Sequence, residues 1–150
     1  MKLHHKLQVL IANYQARGIQ IQFKITQGIN HECRLNDEID ELKRQENALK
    51  KIIKFYGYDN TVDRATLFEE IRKVAVLRRQ LTFLNQQMLQ KMKDFEDNNL
   101  ELQKNRRELL CINNKTEKYS YLHKKMKVAD RIRINHQGEI EMEELFSWKK

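Results

Sequence analysis

The chain has 150 residues, no proline, four glycines, 33% charged residues and a formal net charge of +8. A mean hydropathy of −0.81 with 40% hydrophobic residues is thin for a globular core. It is ordinary for a two-stranded coiled coil, which buries only a seam, and the missing proline favours long uninterrupted helices. The basic balance suits nucleic acid, anionic lipid or an acidic protein cavity, and charge alone does not choose among them.

The first seven residues, Met1 to Leu7, begin a helical pattern and not a signal peptide. No apolar run approaches the roughly 18 residues needed to cross a membrane. Two cysteines, Cys33 and Cys111, make no disulfide framework, so a reducing cytosol is the expected setting.

From residue 4 to 56 apolar residues recur every 3.5 positions. One series is Leu7, Tyr14, Ile21, Gly28, Leu35, Leu42, Leu49 and Tyr56 (d); the other is His4, Ile11, Gly18, Ile25, Glu32, Ile39, Glu46 and Ile53 (a). The unbroken repeat predicts helix 1 over about 4–56 in a left-handed supercoil. Turn residues cluster at 57–63, where Gly57 can take positive φ and Asp63 suits a helix N-cap.

Helix 2 is predicted over about 64–137. Its a series is Leu67, Val74, Leu81, Met88, Phe95, Leu102 and Leu109, and Leu77, Leu84 and Ile112 are in its d series. After Ile112 the a positions turn polar (Thr116, His123, Asp130), and the stripe is expected to slip toward Leu122 and Ala129. Residues 138–150 read as an acidic tail, either frayed or a second short helix.

These patterns predict an all-α fold, a long two-helix antiparallel coiled-coil hairpin in one elongated domain, the second helix overhanging the first. Anchoring Tyr56 opposite Leu67 sets the register. It puts Leu35 on Met88, Ile21 on Leu102, Tyr14 on Leu109, Gly28 on Phe95 and Glu32 on Lys91.

The five histidines are scattered, and His31, Glu32 and Cys33, being adjacent, point to different helix faces. The only serines are Ser120 and Ser147, and there is no glycine-rich phosphate loop. The expectation is a protein that is not an enzyme and has no cofactor or metal.

Two surfaces stand out instead. At the end carrying both termini, Lys2, Lys6, Lys118, Lys124, Lys125, Lys127, Arg131 and Arg133 form a positive prong. Near the turn, Phe68, Arg72, Val76, Arg79 and Phe83 recur at three- and four-residue spacing off the seam. With Tyr58 they give the aromatic, aliphatic and arginine mixture favoured at contact hot spots.

From Leu67 to Leu81 the sequence (Leu-Phe-Glu-Glu-Ile-Arg-Lys-Val-Ala-Val-Leu-Arg-Arg-Gln-Leu) resembles the central stalk family of type III secretion systems. This is the group of flagellar FliJ and injectisome YscO, and the likeness is closest to InvI-type members. The hairpin length, the basic run through Lys127 and Arg133, and the acidic end Glu139 to Glu144 share in it.

The resemblance implies a non-enzymatic stalk between the hexameric secretion ATPase and the cytoplasmic ring of the export gate, at the cytoplasmic side of the inner membrane and not inserted in it. The basic prong would face the ATPase pore. Tyr58, Phe68, Arg72, Val76, Arg79 and Phe83 would face the gate, and export chaperones are further partners. Two other readings of the sequence stand beside it: a cytosolic coiled-coil scaffold or export-chaperone-binding protein, and a basic nucleic-acid-binding rod. The last lacks any fold element that presents its aromatic and basic residues to bases.

Overall fold

A computed structural model describes residues 2–56 and 63–148. It contains two helices, α1 (Lys2–Tyr56) and α2 (Arg64–Trp148), which form a helical hairpin. Asp63 stands at the N-cap of α2, and its carbonyl accepts the Leu67 N–H at 2.9 Å. The rest of the expected turn, Gly57 to Val62, lies outside the described residues, as does Tyr58 of the contact patch.

The described residues group into two compact units, Met1–Lys24 with Asn105–Lys150 and Ile25–Lys104. In both, the heptad reading of α1 holds at every position. All sixteen a and d residues from His4 to Tyr56 are shielded, including Gly18, Gly28, Glu32 and Glu46. Leu7, Ile21, Ile25, Leu35 and Ile39 are buried on α1, and Met88, Leu102, Asn105 and Ile112 on α2.

The partners across the seam differ from expectation by one heptad. In the second unit Gly28 lies against Leu102 and Asn98, not Phe95, and the Asn98 side chain donates to the Gly28 carbonyl at 2.9 Å. Lys91 Nζ meets Glu38 at 2.6 Å, not Glu32. That contact holds the Glu38 carboxyl below its usual pKa and the Lys91 ammonium above its own, through a hydrogen bond and the opposed charge. In the first unit Gly18 faces Ile112 and Leu109, and Tyr14 stacks on Tyr119 with ring centroids 5.8 Å apart.

The reason is geometric. A slide of seven residues leaves every a and d residue on the seam, so periodicity cannot distinguish neighbouring registers. Size can: the seam glycines Gly18 and Gly28 each take a large aliphatic partner. Leu67, the expected first layer, is 46% exposed.

The slip expected after Ile112 does not occur. Thr116, Tyr119, His123, Met126 and Asp130 continue the count as shielded residues, whereas Leu122 and Ala129 are exposed. Two of the polar seam residues meet His4 of α1: the Asp130 carboxylate bonds His4 Nε2, and the His4 ring meets the His123 ring at 5.6 Å.

Nor does α2 stop at 137. It runs through Gly138, where a side chain would meet open space, and takes the acidic stretch with it. One glycine costs a helix about 1 kcal/mol, too little to end one so rich in good helix formers.

Candidate functional site

The basic candidates all belong to the first unit, and all are exposed: Lys2 and Lys6 on α1, and Lys118, Lys124, Lys125, Lys127, Arg131 and Arg133 on α2. Lys118 and Lys125 are seven residues apart, as are Lys124 and Arg131, so they form two rows away from the seam. Acidic relief is sparse. Arg133 pairs with Asp130 at 3.3 Å, while Asp130 also serves His4. Lys125 lies over the Tyr121 ring at 5.9 Å and Lys115 over the Tyr14 ring at 5.8 Å, each using an aromatic face as a cation support.

At the inner edge of this basic surface sits His123. Its Nε2 is shut off from solvent without a partner. Burial holds the imidazole below its usual pKa, and the nearby Lys127 and His4 add to this. The unfolded chain therefore binds the proton more readily than the folded one. Stability should fall as pH drops from the unfolded value toward the lower folded value, and level off below it. His123→Leu is expected to flatten that dependence. Hydrogen exchange of amides around Tyr119–Met126 at about pH 7.5 and about pH 5.5 measures it in both forms.

The second candidate surface lies in the other unit. Phe68, Val76 and Phe83 are 58%, 52% and 60% exposed, and Arg72 and Arg79 are exposed beside them. Only part of the expected stripe faces a cavity. Arg79 and Phe83 line an apolar groove of about 730 Å³ with Leu84 of α2 and Ala48, Leu49 and Ile52 of α1. Phe68, Arg72 and Val76 lie outside it, on the open helix face.

The contribution of α1 escaped the sequence reading because the stripe was sought along one helix. Its signal was present: Ala48 and Ile52 flank the seam four residues apart, a small residue leaving room beside a large one.

Among the described residues no group of three or more His, Cys, Asp or Glu side chains is placed to hold a metal ion, and no helix is long and apolar enough to cross a membrane. Cys33 and Cys111 are exposed free thiols.

Two antiparallel helices with a narrow buried seam, an exposed cationic surface and an arginine-lined apolar groove make an all-helical hairpin. Residues 5–146 match the family described as Salmonella surface presentation of antigen gene type M protein. The chain belongs to that family, and so to the components of type III secretion systems. No curated protein and no solved structure matches it.

Proposed function

We propose that the chain is the non-enzymatic central stalk of a type III secretion system, joining the hexameric secretion ATPase to the export gate on the cytoplasmic side of the inner membrane. The observation that carries this reading is the exposed cationic surface of Lys118–Arg133. It belongs to a member of a secretion-apparatus family whose two helices are held by an unbroken heptad seam. Such a surface fits a cavity lined by acidic side chains. Two helices in a six-fold pore contact its subunits unequally. Contacts that differ between the nucleotide states of a subunit bias which subunit closes, with no chemistry from the stalk itself. The apolar groove and the open face from Phe68 to Phe83 are the surface proposed for the gate.

Reversing Lys124, Lys125 and Lys127 to glutamate is expected to weaken binding to the ATPase and lower its stimulation. The effect should be largest at low salt, where surface charges are least screened. Unaltered stimulation at low salt would remove the pore contact. A pull-down that brings no hexameric ATPase with the native chain would remove the stalk reading.

A further inference from the structure

Past Asp130, which meets His4, every described residue of α2 is exposed. Most helical stability in proteins comes from packing of a buried face, which this stretch lacks. The stretch is nonetheless patterned. Val128, Ile132, Asn135, Glu139, Met142 and Phe146 follow one another at intervals of four, three, four, three and four, a heptad row on the side of α2 away from the seam. The four apolar members are 54–69% exposed.

The row is also a mirror of itself. Val128 and Phe146, Ile132 and Met142, and Asn135 and Glu139 stand at equal distances on either side of Gln137. Two charge pairs are opposed across the same point: Arg131 mirrors Glu143 and Arg133 mirrors Glu141, while Asp130, already engaged by His4 and Arg133, mirrors Glu144. Residues 139–144 carry four glutamates and no base.

We infer that residues 128–146 of α2 are a self-complementary interface through which two copies of this chain pair antiparallel, about a two-fold axis level with Gln137. Turned end for end, Val128 meets Phe146 and Ile132 meets Met142. The Asn135 amide donates to the Glu139 carboxylate twice, as an isologous contact requires. Arg131 and Arg133 of each copy lie level with Glu143 and Glu141 of the other. A parallel pair would instead stack glutamate on glutamate. The contact runs about 27 Å. It is small, so exchange between monomer and dimer is expected at or above about 1 μM. Pairing would also cover part of the cationic surface, so a paired copy could not at the same time place that surface in a pore.

The purified full chain tests this without reference to the secretion ATPase, and its failure leaves the stalk reading untouched. Sedimentation should show a monomer that becomes a dimer as concentration rises. Ile132→Lys with Met142→Lys should leave a helical monomer throughout, helicity being followed by circular dichroism. In a Cys33→Ser, Cys111→Ser background, Val128→Cys and Phe146→Cys chains should form few disulfide-linked dimers when oxidised separately. Mixing the two should raise the linked fraction at least several-fold. A chain monomeric at every concentration, a dimer that survives the Ile132 and Met142 changes, or efficient linkage of Phe146→Cys chains to themselves would each overturn the inference.

Discussion

Leu102→Ala is expected to be among the costliest single truncations in the seam, lowering stability by about 3 kcal/mol. Leu102 is 1% exposed, and its side chain fills the space left by Gly28, with no room for a Cβ there. A Cβ built on Gly28 would stand 2.5 Å from Leu102 Cδ2 and 3.0 Å from Cγ. Gly28→Ala therefore sets two effects against each other. Helix propensity favours alanine by about 1 kcal/mol, and overpacking costs about 1–3 kcal/mol. Because Leu102 has no exposed side to turn toward, the steric effect should win. The double change Gly28→Ala with Leu102→Ala should cost less than the sum of the two, since the methyl fills part of the cavity. Denaturant melts of all four chains measure the coupling. Strict additivity would mean that the two residues do not share this space.

Phe68→Asp with Phe83→Asp is expected to reduce export of secreted substrates at least about tenfold, the scale of losing one contact hot spot. Both rings are more than half exposed, so the fold and its melting temperature should be nearly unchanged. Binding to the isolated cytoplasmic domain of the gate should weaken in parallel, while binding to the ATPase should not. Ile52→Asp separates the two parts of the surface. It charges the groove from the α1 side and leaves the open face of α2 untouched. Weakening equal to that of the double change would place the contact in the groove. Full export by both variants would remove this surface from the gate contact.

The faces of the helices were legible in the sequence and their relative height was not. Every a and d position of α1 is shielded because the 3.5-residue repeat depends only on which side of a helix a residue occupies. Register depends on which layer meets which, and here the repeat is silent. Counting from Tyr56 opposite Leu67 matches Gly28 with Phe95. The space it leaves is filled instead by Leu102, with Asn98 bonding its carbonyl. Polarity misled twice. Thr116, His123 and Asp130 looked like the loss of a seam and are part of it, because His4 supplies Asp130 with a partner. The acidic residues Glu139 to Glu144 looked like a separate tail and are part of α2. Of the groove lining, Arg79 and Phe83 follow from spacing along α2, while Ala48 and Ile52 needed the second helix in place.

The bond from Asn98 to the Gly28 carbonyl, set beside the packed Leu102, gives the second unit a toothed edge. Helices matched by heptads can trade places only in whole repeats, about 10 Å at a time, and each move must first lift Leu102 out of its notch. Pulled along its length, such a pair should yield in discrete jumps and not by smooth creep, with a Gly28 change altering the height of one jump and not its size.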